Sequence, residues 1–134
     1  MKIVVAACLA VFILNVFAIK QEQAFDLKAS MARGKNLYTT YCITCHFEQG
    51  EGLEGVYPPL AKSDYMMNDK KRSIQQILNG ATGPMKVNGK DYDGVMSGYD
   101  LSDQEVSDLL NYVRNSFGNK GGVILPTEVK AVRQ

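Results

Sequence analysis

The sequence has few side chains that bind transition metals: one histidine, His46, and three cysteines among 134 residues. Cys8 lies in an apolar N-terminal segment, so the rest of the chain offers only Cys42, Cys45 and His46. A structural zinc site normally takes four cysteine or histidine ligands. Zinc would therefore need a carboxylate as its fourth ligand in this chain, which is unusual for such sites.

The chain also lacks an excess of charge of either sign. Fifteen basic residues face fourteen acidic ones, which leaves a formal net charge of +1. This balance argues against a nucleic-acid-binding protein, because such proteins carry a basic surface. No internal repeat or low-complexity tract is present. The length suits a single domain, and the hydrophobic content of 46% is sufficient for a core.

The N-terminal segment differs in composition from the rest of the chain. Met1 and Lys2 are followed by residues 3–19, which are apolar except for Asn15, and by a polar run at residues 20–23. A basic start, an apolar stretch and small residues before a cleavage point are typical of a secretory signal peptide. We predict a signal at residues 1–18, a polar leader at residues 19–28 and the folded domain at residues 29–134.

The alternative is that the segment stays as a membrane anchor, since it is at the short end of the length that spans a bilayer. In both cases the domain is exported, and we expect a periplasmic protein that contacts a membrane only if the segment is uncleaved. In an oxidising compartment Cys42 and Cys45 would form a disulfide unless something else consumes their thiols.

Periodic apolar residues predict three helices in the domain. The first covers residues 29–41, with Ser30 as a candidate cap, and the second covers residues 72–79 and stops at Gly80. The third begins with a capping box formed by Ser102 and Glu105 and ends at Gly118. Its apolar stripe consists of Val106, Leu109, Leu110, Val113 and Phe117.

Long glycine-rich loops separate these helices. One covers residues 48–59, and another covers residues 83–98 and contains the turn dipeptides Asn88-Gly89 and Asp93-Gly94, which predict a short hairpin between them. Loops of this length in a compact domain usually surround a ligand. The pattern therefore predicts a mostly helical domain that encloses a bound group.

The segment YCITCH at residues 41–46 admits interpretations other than zinc. A thioredoxin-like redox pair needs a strand-to-helix junction, but a predicted helix precedes Cys42. A structural disulfide between Cys42 and Cys45 would leave His46 and the long loops without a role. Cys-x-x-Cys-His is also the attachment motif of haem c, in which both thiols bond to the porphyrin and the histidine is an axial ligand of the iron. We favour this interpretation.

An electron-transfer haem needs a second axial ligand, and methionine is a frequent one. Met96 stands in an irregular loop directly before the predicted third helix, so its sulfur could reach the far face of a haem. Met85 is the main rival, eleven residues earlier beside a Gly-Pro turn. For Met66, Met67 and Met85 we expect a role in packing, which is the commoner role of methionine.

Taken together, these segments resemble class I c-type cytochromes over almost all of the predicted domain. The similar stretches are RGKNLYTTYCITCH, GVYPPLAKSDYM and GVMSGYDLSDQEVSDLLNYVRNSFGN, in this order. The closest pattern is that of bacterial cytochrome modules that accompany quinoprotein dehydrogenases and terminal oxidases or reductases. The resemblance implies a small all-α cytochrome c fold, with about three to five helices and long glycine-rich loops around one covalent haem. It also implies that the first and last helices cross, with Gly34 against Leu109 or Tyr112.

The resemblance implies roles for individual residues as well. Cys42 and Cys45 would carry the covalent haem c, and His46 and Met96 would ligate its iron. The carbonyl of Pro59 would accept a hydrogen bond from the other ring nitrogen of His46 and so orient the ring. Ser97 departs from the family pattern, in which proline generally follows the ligand methionine, and we expect a looser ligand loop.

The implied function is one-electron transfer without catalysis of bond formation, in a respiratory or dehydrogenase-linked chain. The partners would be redox proteins: a dehydrogenase, an oxidase or a reductase. We expect Leu60, Ile77, Leu78 and Val95 to form apolar surroundings for the haem. The alternative is a sensor or peroxidase-like protein in which the distal methionine is displaced by a small ligand. No second histidine and no arginine stands beside Met96 in the sequence to assist peroxide cleavage.

Candidate docking charges form two groups in the sequence, although a normal solvated surface explains them as well. An acidic group follows the motif, and a basic group lies further along the chain. They consist of Glu48, Glu51 and Glu54, and of Lys62, Lys70, Lys71 and Arg72.

Overall fold

The computed structural model describes residues 24–133. The predicted signal peptide at residues 1–18 and the first half of the predicted leader, residues 19–23, lie outside the described residues. Within them the chain forms six helices and four short strands. The helices are α1 Leu27–Tyr41, α2 Ile43–His46, α3 Asp64–Asn68, α4 Lys70–Asn79, α5 Asp103–Arg114 and α6 Pro126–Arg133. The strands are β1 Gly80–Ala81, β2 Met85–Val87, β3 Lys90–Tyr92 and β4 Met96–Ser97.

This architecture confirms the all-α class, and the number of helices is one more than the expected upper limit of five. The excess arises because α2 and α3 have only four and five residues, which is too short for an apolar period to show in the sequence. In the described part of the chain, no helix has the length and apolar character needed to cross a membrane.

Helix α1 begins earlier than predicted and has a different cap. It starts at Leu27, inside the predicted leader, and the side chain of Asp26 accepts a hydrogen bond from the amide of Ala29 at 2.9 Å. The prediction that Ser30 caps the helix is wrong. Ser30 is fully buried one turn into α1, where its hydroxyl donates to Asp108 on α5 at 2.6 Å.

Helices α1 and α5 pack closely at Gly34, as the resemblance implied. A Cβ atom on Gly34 would overlap the backbone carbonyl of Asp108 and lie 2.8 Å from the Cβ of Tyr112. The contact with Tyr112 is confirmed, and the other contact is Asp108 rather than Leu109. Only glycine permits backbones this close, so Gly34 sets the distance between the two helices.

A buried polar network reinforces this packing. Asp108 accepts hydrogen bonds from the hydroxyl of Ser30 and from the guanidinium of Arg33, the latter at 2.7 Å. Asn111 on α5 donates to Ser30 at 3.0 Å and to the carbonyl of Ile124 at 2.9 Å, and it accepts from the Ile124 amide at 2.8 Å. Because buried polar groups are costly unless bonded, these side chains hold α1, α5 and the segment before α6 in one arrangement.

The capping box at the start of α5 is confirmed, with Ser102 and Glu105 bonded reciprocally. The predicted apolar stripe is also buried, from Val106 to Val113. The helix ends at Arg114, earlier than the predicted stop at Gly118. Beyond that end, the chain turns so that the ring of Phe117 packs against Tyr38 of α1, with a distance of 5.2 Å between ring centroids.

Helix α4 and the hairpin follow the sequence pattern with small shifts. α4 starts at Lys70, is capped by Asp69 and ends at Gly80 as predicted. Asn88 and Gly89 form the turn that joins β2 to β3, in which Val87 pairs with Lys90. The hairpin is therefore centred on Asn88-Gly89. The prediction that it lies between the two turn dipeptides is wrong.

The sequence analysis did not identify the C-terminal helix α6. Val129 buries its side chain completely, Glu128 pairs with Lys70 at 3.1 Å and Arg133 pairs with Asp103 at 2.6 Å. These contacts attach α6 to α4 and α5. Eight residues with only one fully buried position give too little periodicity for recognition from sequence.

The close approach at Gly34 leads to a stability prediction. Gly34→Ala should lower the free energy of unfolding by about 1–3 kcal/mol or more, because the added methyl group must push two helix backbones apart. Denaturant unfolding checks this. The control is Gly122→Ala, since a Cβ at Gly122 meets no atom within 4 Å. Equal stability of the two variants would contradict the proposed role of Gly34.

Candidate functional site

A cavity of about 270 Å³ lies between the cysteine motif, the loop after it, the hairpin and α5. Its lining is apolar or uncharged: no aspartate, glutamate, lysine or arginine contributes to it. Five of the seven tyrosines line it, namely Tyr41, Tyr57, Tyr65, Tyr92 and Tyr99. Such surroundings suit a large apolar group better than a small charged substrate.

The cysteine motif forms one wall of the cavity. Helix α1 leads directly into Cys42, and the four-residue helix α2 then carries Cys45 and His46, so that all three side chains line the cavity. The amide of His46 donates to the carbonyl of Cys42 at 2.9 Å, which keeps the motif compact. Cys42 is buried and Cys45 is partly buried.

His46 is oriented by a backbone carbonyl, but by that of Pro58 rather than the predicted Pro59. The Nδ1 atom of His46 lies 2.9 Å from the oxygen of Pro58. Pro59 also lines the cavity but makes no such bond in the described structure. Since a carbonyl can only accept, Nδ1 carries the proton and Nε2 keeps its lone pair for a metal.

Gly52 brings the loop close enough to make this bond. Its amide donates to the carbonyl of His46 at 3.1 Å, and a Cβ at Gly52 would lie 2.8 Å from the carbonyl carbon of Pro58. Gly52 also has a φ angle of 62°, a region that disfavours other residues. The glycine therefore permits the loop to fold back under the histidine.

Burial favours the uncharged forms of His46 and Cys42. Burial lowers the pKa of His46, and the hydrogen bond to Pro58 opposes this shift without cancelling it. Burial also raises the pKa of the Cys42 thiol to about 12, with Cys45 contributing in the same direction. At neutral pH the imidazole is neutral, as a metal ligand must be, and the Cys42 thiol is protonated.

Three methionines line the cavity: Met66, Met85 and Met96. Met67 packs against the core and does not line the cavity, whereas Met66 belongs to the core and also lines the cavity. The expected packing role describes Met67. Met66 and Met85 also line the cavity, which the sequence did not predict. The sulfur of Met66 lies 4.0 Å from Nη1 of Arg114, so this sulfur already has a polar neighbour. Met96 packs against the hydrophobic core cluster, and Met85 does not belong to that packing.

The segment that carries Met96 is held by backbone pairing. β4 pairs with β1 in an antiparallel ladder, in which Met96 lies opposite Ala81 and Ser97 opposite Gly80. Directly after it, the amide of Tyr99 donates to the carbonyl of Ile77 at 2.9 Å. These bonds restrain the loop where the family pattern has a proline, so the absence of proline at Ser97 does not leave the segment without support.

The predicted apolar surroundings are largely present. Leu60, Ile77 and Val95 line the cavity, whereas Leu78 packs against the core cluster outside the lining. The sequence did not predict that five tyrosines and three residues of α5 contribute to the cavity wall. Tyr99 shows what the tyrosines add: its hydroxyl donates to the carbonyl of Tyr41 at 2.9 Å and joins two segments of the cavity wall. Because the loops have no periodicity, only their tyrosine content could have suggested this.

The alternatives for the motif lose support in this geometry. Among residues 24–133, no group of three or more His, Cys, Asp or Glu side chains is arranged to hold a metal ion. This argues against a zinc site completed by a carboxylate. A helix rather than a strand precedes Cys42, which differs from a thioredoxin-like redox centre.

Comparison with known proteins decides the family. The family model for cytochrome c matches residues 31–117, which is more than half of the chain. This chain belongs to the cytochrome c family. It is a class I c-type cytochrome, and the cofactor that its membership implies is covalently bound haem c with its iron. The neutral histidine, the two thiols and the uncharged cavity fit this group.

The curated relatives differ in length. Cytochrome c-552 from Thermus thermophilus is 33% identical over 98 residues, which cover 69% of this chain and 66% of the relative. The cytochrome c subunit of alcohol dehydrogenase (quinone) from Gluconobacter oxydans is 29% identical over 105 residues, covering 75% of this chain and 22% of that subunit. Cbb3-type cytochrome c oxidase subunit CcoP from Azospirillum brasilense is 31% identical over 98 residues, covering 69% and 30%.

This chain therefore spans about two thirds of the length of cytochrome c-552 and less than a third of the two subunits. Family and relatives support haem-based electron transfer as its general activity.

Proposed function

We propose that this chain is a one-electron carrier whose haem c is attached through Cys42 and Cys45 and ligated by His46 and Met96. The observation that carries the proposal is that all four side chains line one uncharged cavity. The haem, when bound, supplies a one-electron couple between ferric and ferrous iron. The chain itself contributes attachment, ligation and exclusion of water.

Attachment would use the two thiols of the motif. Each S–H would add across one vinyl group of the porphyrin, so that the sulfur bonds to carbon, the proton goes to the neighbouring carbon and no oxidant is consumed. The geometry supports this because Cys42 and Cys45 both line the cavity, and because Cys42 follows a helix held by the contact at Gly34. The covalent bonds would then prevent loss of the haem during partner exchange.

Ligation on the motif side would come from Nε2 of His46. Its neutral state and the bond from Nδ1 to Pro58 support this role. The carbonyl fixes the ring orientation and makes the imidazole a stronger donor to the metal.

The distal ligand would be Met96. Its backbone is fixed by the pairing of β4 with β1 and its side chain packs against the core. The sulfur of Met66 already lies beside Arg114, which leaves Met85 as the competitor. A methionine ligand and an apolar cavity both favour the ferrous state and so raise the reduction potential.

Electrons would enter and leave where the cavity wall meets solvent. Tyr41, Val56 and Val95 are exposed and also line the cavity, and Val95 is 78% exposed. The charged groups suggested by the sequence are partly occupied elsewhere: Lys70 bonds to Glu128, and Glu54 pairs with Lys90. An apolar contact of modest area is sufficient for a redox encounter.

The donor and acceptor would be redox proteins of a respiratory or dehydrogenase-linked chain in the periplasm. The relatives that are subunits of a quinone-dependent alcohol dehydrogenase and of an oxidase support this class of partner. A sensor or peroxidase-like function has less support, because no second histidine and no arginine lines the cavity.

The first test concerns covalent attachment. Haem should remain on the wild-type chain through acid–acetone extraction, because two thioether bonds hold it, and the intact mass should include one haem. Cys42→Ser combined with Cys45→Ser should remove both signals. A colourless wild-type chain after extraction would refute the central proposal.

A second test concerns export. The mature protein should begin near Ile19 and be found in the soluble periplasmic fraction of a Gram-negative host, because residues 1–18 are proposed to be a cleaved signal. Sequencing of the N-terminus and fractionation check this. An intact N-terminus in washed membranes would show that the segment is an anchor.

A third test identifies the distal ligand. Met96→Ala should remove the weak red absorption band of methionine-ligated ferric haem, lower the reduction potential and open the iron to carbon monoxide. Met85→Ala is the matched control, because its sulfur also lines the cavity, and it should keep the band. The opposite result would assign the ligand to Met85. Absence of the band in the wild type would favour the sensor or peroxidase-like function.

A further inference from the structure

Arg114 is a buried cation near the cavity. It is the last residue of α5 and only 4% exposed. Its Nη1 atom donates to the carbonyl of Met66 at 2.8 Å and lies 4.0 Å from the sulfur of the same residue. Since Met66 lines the cavity, a single side chain separates the guanidinium from the cavity space.

No carboxylate of the described residues forms a direct ion pair with Arg114. Five ion pairs join residues 24–133, and Arg114 takes part in none of them. Its Nε atom is buried without a hydrogen-bond partner. Burial lowers the pKa of Arg114, with an opposing effect from Glu128, which itself pairs with Lys70. Arginine nevertheless stays protonated in proteins, so a full positive charge remains inside the fold.

The hydrogen bonds of Arg114 do not by themselves require a charge. Its guanidinium satisfies carbonyls of Met66 and Met67 at the end of α3. Asn119 performs the same task nearby with a neutral amide, which donates to the carbonyls of Leu60 and Val113 at 2.9 and 2.8 Å. Burying an unpaired cation costs free energy. If the only role of residue 114 were to donate hydrogen bonds to these carbonyls, a neutral donor would destabilise the fold less.

We infer that Arg114 raises the reduction potential of the haem through its buried positive charge. This inference rests on the proposed haem site. Ferric iron carries one more positive charge than ferrous iron, and repulsion from a cation is strong where water is excluded. Arg114 therefore disfavours the oxidised state, although it does not line the cavity itself.

Two substitutions separate charge from hydrogen bonding. Arg114→Gln keeps a donor near the carbonyl of Met66 but removes the charge, and Arg114→Lys keeps both a donor and the charge. We expect the potential of the Gln variant to fall clearly below that of the wild type and the Lys variant to stay near the wild type. The potentials should be compared at about pH 6, because a buried lysine loses its proton more readily than arginine does.

The matched control is Lys120→Gln, which changes the net charge by the same amount at an exposed position. Its potential should stay near the wild type, and any small shift should disappear at high salt. The shift in the Arg114→Gln variant should persist there, since buried charges are screened less. Denaturant unfolding of each holoprotein separates loss of stability from change of potential, and Arg114→Met serves as the uncharged variant if the Gln variant does not fold.

Equal potentials in the Lys and uncharged variants would overturn the inference, as would an uncharged variant with the wild-type potential. Both outcomes leave the proposed function intact, provided that the variants retain covalent haem and the red methionine band. Failure of the proposed function would be seen differently, because the wild-type chain itself would lack covalent haem.

Discussion

The packing of α1 against α5 is the constraint on which the site depends. α1 ends at the residue before Cys42, and α5 contributes Leu109, Leu110 and Val113 to the lining of the same cavity. The distance between the motif and this wall is therefore set by the contact at Gly34 and by the buried hydrogen bonds of Asp108. A larger side chain at Gly34 would act on the cavity as well as on stability, because tightly packed interiors transmit strain.

Backbone contacts restrain the segments around His46 and Met96, the two proposed iron ligands. On one side Gly52 lets the loop close so that Pro58 orients His46. On the other side the ladder between β1 and β4 fixes the segment that carries Met96. A carrier that exchanges electrons without moving its ligands benefits from such restraints, since each transfer then needs little reorganisation.

Chemistry and periodicity made much of this fold predictable from the sequence. The spacing of Cys42, Cys45 and His46 is a local property, and the capping box of α5 is equally local. The carbonyl that orients His46 was predicted to be that of Pro59, but it is that of the preceding residue, Pro58. The path of the loop determines which of the two adjacent carbonyls faces the histidine, and the sequence does not show that path. The cap at Asp26 was missed because Ser30 is also a good cap residue, and only tertiary structure shows that its hydroxyl is bonded to α5.

The distribution of charge connects the fold to the proposed redox role. The cavity lining has no Asp, Glu, Lys or Arg, while the guanidinium of Arg114, which forms no ion pair among residues 24–133, lies behind Met66. An apolar cavity already disfavours the ferric state, because the extra charge has no solvent to stabilise it. A cation placed behind the wall acts in the same direction without admitting water or competing for the iron. In a protein with almost equal numbers of acidic and basic residues, the position of one buried charge therefore matters more than the net charge.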